Sequence, residues 1–232
     1  MRHFFKKIIL FVLGVLILSA CSLKSDGVSY KKIKFGRQDK TPIFWYIVSQ
    51  NEDSQILLSE KILDVQLYNK ENVDIDFEKS SVFDYLNTEF VNICFTKDEI
   101  KKMIFIDDDN TLVALPSLND LKEIFGDISF LKDGYYNDMT FYQANTKMVA
   151  EPAELALYNE IEVFDNETYA TIMGQKEIDK RYSFANGKSA YWTKNKNDEK
   201  GTMYFVTATG YIDSFEPNRD YIGIRPMIKI KK

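Results

Sequence analysis

The sequence predicts an α+β fold in which a few short helices pack on antiparallel sheets. Three observations predict it. β-prone runs cluster near the beginning and the end of the chain. The links between them are short and polar or contain glycine, which favours antiparallel pairing. The helix starts that stand between these runs open only short segments, suited to covering a sheet and not to building a bundle.

The first segment is not part of that fold. Arg2, Lys6 and Lys7 form a basic start, and residues 8–20 are a 13-residue apolar run. Such a run is too short to cross a hydrocarbon core of about 30 Å as a helix, and it has the layout of a secretory signal. Leu18-Ser19-Ala20 stands directly before Cys21, which resembles the lipobox of bacterial lipoproteins. That resemblance implies lipidation of the Cys21 sulfur with a diacylglyceryl group and cleavage before it. Two acyl chains suffice for stable anchoring where one does not. The expected division is therefore a signal peptide at residues 1–20, a lipid-attached tether at 21–32, and a single globular domain at 33–232. The expected location is extracytoplasmic, on the cell membrane of a Gram-positive bacterium.

Composition excludes several chemistries. Removing the three leader cations from 30 Lys and Arg leaves 27 against 35 Asp and Glu, a formal charge of −8. That balance argues against nucleic acid as a partner and against a polybasic membrane-binding face. With Cys21 lipidated, Cys94 is the one remaining thiol, so no intrachain disulfide forms and packing alone must hold the domain. Cys94 lies between Ile93 and Phe95, where a buried small hydrophobe is expected. The only histidine, His3, falls in the leader. The mature chain thus has no Ser-His-Asp or Cys-His catalysis, no histidine metal ligand and no imidazole switch. No cofactor is expected. Its 14 Tyr and 17 Phe are enough to fill a sizeable core.

Ordered structure is expected from Ile33-Lys34-Phe35-Gly36. Residues 42–48 are strongly β-prone, residues 55–59 follow as a second strand, and Asn51–Ser54 between them has hairpin length. Ser81 to Asp84, Thr96 to Glu99 and Ser117 to Asp120 each match a capping box. The first would place Val82, Phe83, Leu86 and Phe90 on one face; the third runs to a stop at Gly126. Asp107-Asp108-Asp109-Asn110 lacks the alternation, glycine and terminal glutamate of a Ca²⁺ loop and is expected to be a solvated turn. Residues 127–188 are the least regular, with one helix expected from Pro152 as its first residue through Tyr158. Strands return at 189–193, 202–207 and 210–212. A last strand spans 221–230, where Pro226 requires an edge or a bulge.

In this order, Phe35-Gly36, Pro42-Ile43-Phe44-Trp45-Tyr46-Ile47-Val48, Leu57-Leu58-Ser59, Tyr85-Leu86-Asn87 with Phe90, Phe95 with Glu99-Ile100, Tyr191-Trp192-Thr193 and Gly223-Ile224-Arg225-Pro226 resemble the motif series of a family of uncharacterised extracytoplasmic domains of low-GC Gram-positive bacteria. The chain departs from that series at Thr193-Lys194, where the family has arginine and serine. The tail strands also resemble C-type-lectin-like and formylglycine-generating-enzyme-like domains. The resemblance implies small twisted antiparallel sheets, few short helices and long loops, a C-type-lectin-like architecture. The oxidase activity does not follow, because it needs a cysteine pair to hold copper. Glu216-Pro217-Asn218 follows Trp192, the wrong order for a lectin calcium loop, and is expected to be a turn.

Among candidate residues, Trp45 is expected in the core. Trp192 and Tyr191 are candidates for stacking on a sugar or peptide, and Arg225 is expected either to pair with a buried carboxylate or to bind a ligand. Arg181-Tyr182 and Tyr135-Tyr136 are further surface candidates. The function these features favour is a surface-anchored, non-catalytic binding or interaction module for cell-wall glycan, peptide or an envelope protein. The alternative is a hydrolase working through two carboxylates, which needs neither histidine nor metal. An accessory role in a membrane complex is a third possibility.

Overall fold

The computed structural model describes residues 30–106, 110–131, 144–168 and 183–232. They form two curled, mostly antiparallel sheets with a few short helices, an α+β architecture. The first sheet begins with β1 (Lys32–Gln38), β2 (Thr41–Gln50) and β3 (Ser54–Ser59), in the order β1-β2-β3. The expected hairpin between β2 and β3 is closed by Asn51, whose Oδ1 accepts from the N–H groups of Asp53 and Ser54 at 3.0 and 2.8 Å. The chain then enters the second sheet through β4 (Asp64–Val65).

Helix α1 (Ser81–Tyr85) is capped by Ser80, one residue earlier than the sequence pattern suggests; the Ser80 hydroxyl accepts from Phe83 N–H. Ser81 turns away because its hydroxyl is taken by Asn69 Oδ1, at 3.0 Å, and by Lys70 N–H. A π-helical turn, Leu86–Phe90, joins α1 directly to α2 (Val91–Cys94). Val82, Leu86 and Phe90 are buried as expected, while Phe83 is only half-buried.

The capping box of α3 (Lys97–Ile100) forms fully between Thr96 and Glu99, and that of α4 (Leu118–Phe125) between Ser117 and Asp120. Gly126 ends α4 with a φ of 91°. Burial works against ionised Glu99, but hydrogen bonds from the Thr96 and Gly36 N–H groups and the Thr96 hydroxyl outweigh it and hold the pKa below the usual range. A carboxyl lowered in the folded state stabilises above its unfolded pKa and loses that contribution as pH falls through the folded value. Glu99→Gln is therefore expected to lower stability by about 1 kcal/mol at pH 7. Urea melts at pH 7 and pH 3 check this: the gap between the two proteins should close in acid.

Between α3 and α4, β5 (Met103–Ile104) and β6 (Val113–Ala114) both pair with the last strand. The expected acidic turn at Asp107–Asp109 lies outside the described residues. Asn87, in the π-turn, holds β6 in place. Its Oδ1 accepts from Leu112 and Val113 N–H, and its Nδ2 donates to Phe83 and Val113 carbonyls. Helix α5 (Glu154–Tyr158) starts two residues after Pro152, not on it. Pro152 is instead held in a bridge to Ile62, whose N–H donates to Glu151 O and whose carbonyl accepts from Ala153 N–H.

The second sheet is completed by β7 (Tyr191–Asn197), β8 (Thr202–Val206), β9 (Ile212–Phe215) and β10 (Gly223–Ile224), and its order is β4-β10-β7-β8-β9. The closing segment is two strands, not one: β10 (Gly223–Ile224) belongs to the second sheet and β11 (Met227–Lys231) to the first. β11 is interior, between β3 and β5, so Pro226 marks a crossing between sheets and not an edge. Among the strand pairs of the described residues one is parallel, β10 on β7 at Gly223 and Tyr191.

Trp45, Leu57 and Ile228 from the first sheet share one core with Trp192, Met203 and Phe205 from the second and with the α1–α2 face. A second core holds Ile62, Leu121, Met148, Tyr191 and Ile212. A third, smaller one packs α4 through Ile124 on Leu58 and Met227. Among the described residues, no helix is long and apolar enough to cross a membrane.

Candidate functional site

Two antiparallel segments change sheets side by side. β3 pairs with β11 at Leu58 and Met227, and β4 pairs with β10 at Asp64 and Ile224. Between those pairs Ser59-Glu60-Lys61-Ile62-Leu63 stands opposite only Arg225 and Pro226. The longer side must bulge, and the Arg225 side chain fills the space. Its Nε donates to Ser59 O at 3.1 Å, and its Nη1 to Met148 O at 2.8 Å and to Tyr191 Oη at 3.3 Å. Its guanidinium lies over the Phe125 and Tyr191 rings, 5.7 and 5.3 Å from their centroids. Arg225 is thus a buried pin between the sheets. Its partners are carbonyls, a phenol and two aromatic faces. Among the described residues no carboxylate pairs with it, because the bulge presents backbone oxygens. Gly223 allows the strands to close here, since a Cβ would overlap Ile62 Cγ2 and reach 2.7 Å from Ile161 Cδ1.

The other sequence candidates also sit inside. Tyr191 and Trp192 are neighbours on β7 and point to opposite faces, so each enters a different core. Tyr191 Oη donates to Met148 O at 2.8 Å; burial raises its pKa, with Arg225 pulling the other way. The Trp192 indole N–H donates to Gln66 O at 3.0 Å, and its ring meets Tyr68 and Phe205 edge to face. Both side chains are fully enclosed and present no face to a ligand in solvent. Trp45 is in the core as expected, its N–H on Phe35 O at 2.6 Å. Cys94 is buried and its thiol is pushed up to about 12, by burial first and then by Asp64 and Asp39. Glu216 is tied to Arg219 at 2.6 Å, beside Pro217 and Asn218. Cys21, Tyr135, Tyr136, Arg181 and Tyr182 lie outside the described residues.

A buried carboxylate stands next to the crossing. Asp64 Oδ2 accepts from Tyr85 Oη at 2.5 Å and Gln66 Nε2 at 3.1 Å. Its Oδ1 accepts from Asn159 Nδ2 at 2.6 Å and Val65 N–H at 2.8 Å. These four donors, none of them a cation, tie β4, α1 and the end of α5 together. Desolvation and this hydrogen bond raise the Tyr85 pKa.

What remains accessible is the rim of the crossing. Glu60 pairs with Lys32, and Glu151 with Lys188 at 2.8 Å and Lys61 at 3.9 Å. Tyr46 stands half-buried among them. Its pKa is raised by burial and then by Glu60, opposed by Lys32 and Arg225, with Glu151 adding a smaller upward push. The Lys188 hydrogen bond holds Glu151 below the usual carboxylate range. Among the described residues Asp76, Glu99, Asp165 and Glu216 are likewise held below the usual carboxylate range by hydrogen bonds. A proton-donating acid needs the opposite shift. Among the described residues no group of three His, Cys, Asp or Glu side chains is placed to hold a metal ion.

Sequence reasoning missed this rim. Tyr46 lies inside the first strand motif and Glu60 directly after the second without being distinguished by them, and Glu151 and Lys188 come from the irregular middle. Only the bulge opposite Arg225-Pro226 brings them together, and neither run betrays a three-residue mismatch with a partner that is remote in sequence. No family model, curated protein or solved structure matches the chain.

Proposed function

We propose that the protein is a lipid-anchored, non-catalytic module of the cell envelope that binds cell-wall glycan or peptide through the rim formed by Tyr46, Glu60 and Glu151. The observation that carries this reading is the pairing of the rim carboxylates: Glu60 is ion-paired to Lys32, which lies over the Tyr46 ring at 5.6 Å, and Glu151 is ion-paired to Lys188. That set offers hydrogen-bond acceptors, ammonium donors and a stacking face, the groups that recognise a polyhydroxylated or peptidic ligand. Glu151, held below the usual carboxylate range by Lys188, is a poor proton donor at neutral pH. The C-type-lectin-like arrangement inferred from the tail motifs is part of the proposal, as are the Cys21 anchor and the extracytoplasmic location. The buried candidates Tyr191, Trp192 and Arg225 serve by holding the crossing in shape.

The test is retention of the purified protein on isolated cell wall, with released sugars measured in the same samples. Retention that falls about tenfold in Tyr46→Ala without any sugar release is the expected result, since one lost stacking contact is worth roughly 1.4 kcal/mol. Release of sugar that disappears in Glu60→Gln or Glu151→Gln would establish the two-carboxylate hydrolase instead. No retention by wall would remove the glycan and peptide reading.

A further inference from the structure

The overall negative charge conceals a strong local asymmetry. Between residues 31 and 40 stand Lys31, Lys32, Lys34, Arg37 and Lys40 against one acid, Asp39. From residue 42 onward the balance is 21 Lys and Arg to 33 Asp and Glu. The basic stretch is β1, an edge strand of the first sheet and the first element after the tether.

In a regular strand Arg37 would point to the opposite face from Lys32 and Lys34. It does not, because β1 carries a bulge. Lys34 pairs with Phe44, but Arg37 pairs with Pro42, so one extra residue has been inserted. Gly36 absorbs it with a φ of 73°, in the left-handed region that suits glycine. Paired residues share a face, so Lys32, Lys34 and Arg37 line up with Pro42, Phe44 and Tyr46. The opposite face carries Phe35, Ile43 and Trp45 into the core. Gly36 is under a second constraint, because a Cβ there would come within 2.6 Å of the Phe95 ring.

The resulting face is aromatic and cationic together. Phe44 is 38% exposed and Lys34 lies over its ring at 5.3 Å; Lys34, Arg37 and Pro42 are exposed. Lys32 is occupied by Glu60, which leaves Lys34 and Arg37 as the outermost charges. Aromatic rings mixed with lysine and arginine suit the interfacial layer of a bilayer, where the ring enters the headgroup region and the cations meet lipid phosphates. The distance also fits. Nine residue steps separate Cys21 from Tyr30, a reach of at most about 30 Å.

We propose that the turn end of the outer face of β1 and β2, through Lys34, Arg37 and Phe44, docks the domain onto the anionic headgroups of the membrane that anchors it, while Tyr46, paired with Lys32 at the far end of that face, stays with the rim. The proposal rests on the lipid anchor at Cys21. Docking fixes the orientation of the domain, and it sets the side that carries Phe44 against the bilayer.

The full-length protein, purified from bacterial membranes, is placed in phosphatidylcholine nanodiscs with or without phosphatidylglycerol and labelled with an amine-acetylating reagent. Lys34 is expected to label at least about threefold more slowly in the anionic discs, and to recover when about 0.5 M salt shortens the screening length. Lys70 and Lys79, on the segment before α1, should label equally in both. Reversing charge in Lys34→Glu with Arg37→Glu should abolish the difference, judged at Lys31, each lost cation weakening the contact about fivefold. Intact mass of the same sample reads the acyl chains on Cys21 separately. Acylated protein whose Lys34 labels equally in both discs overturns the docking and leaves the anchor standing. A Cys21 without acyl chains overturns the anchor, and the docking with it.

Discussion

Replacing Arg225 with alanine is expected to lower stability by about 3–5 kcal/mol, the range for leaving a buried charged hydrogen-bond set without its centre. The change removes the donor to Ser59 O and one of two donors to Met148 O, which keeps Tyr191 Oη, and it opens a cavity inside a crossing the backbone cannot close. It also removes the cation packed against Phe125 and Tyr191. For a domain of this size the melting temperature should fall by roughly 10 °C. Arg225→Lys should recover only part of the loss, because a single ammonium cannot reproduce the planar fork that reaches two carbonyls. Tyr191→Phe deletes one donor to Met148 O and should lose only about 1 kcal/mol. Thermal melts of the three variants check the order. An Arg225→Ala protein as stable as the parent would show that the crossing closes without its pin.

Trp192→Ala is the second large effect, about 3–5 kcal/mol, as for other fully buried aromatic truncations. The indole fills the centre of the shared core, edge-on to Tyr68 and Phe205, and its N–H satisfies Gln66 O. Trp192→Phe should lose less, because it keeps most of the volume and gives up mainly the hydrogen bond. The consequence for function is direct. Loss of wall retention in Trp192→Ala would report unfolding and not a lost contact, so Tyr46 is the residue on which to test binding. Denaturant melts of both variants, followed by far-ultraviolet circular dichroism, separate the two effects.

Local signals were legible in the sequence and pairings between remote segments were not. Thr96 with Glu99 and Ser117 with Asp120 form the boxes their spacing implies, because a cap depends only on residues three apart. The β2–β3 hairpin follows from Asn51 for the same reason. The cap of α1 shifts by one residue because Asn69, outside the helix, claims Ser81. The closing run 221–230 has the β-propensity of one strand throughout. What divides it is the partner, β4 on one side of Arg225-Pro226 and β3 on the other, and no property of the run encodes that partner. Arg225 stands out in the sequence, where pairing with a buried carboxylate and binding a ligand are both open, but its carbonyl partners come from segments 77 and 166 residues away. The rim of Tyr46, Glu60 and Glu151 was illegible for the same reason: it exists only where two sheets exchange strands.

The same division applies to the basic face. A net charge of −8 argues against a polybasic surface when charges are averaged over the chain. One glycine bulge turns Arg37 onto the side of Lys34, and the average no longer describes that side.

Wall binding and membrane docking both require that the domain be held at a membrane surface from Cys21. Mass spectrometry of the N-terminal peptide, taken from protein isolated out of bacterial membranes, tests this most directly. The account expects a chain that begins at Cys21 with a thioether-linked diacylglyceryl group on its sulfur. A peptide that still carries residues 1–20, or that shows an unmodified Cys21 thiol, would contradict it.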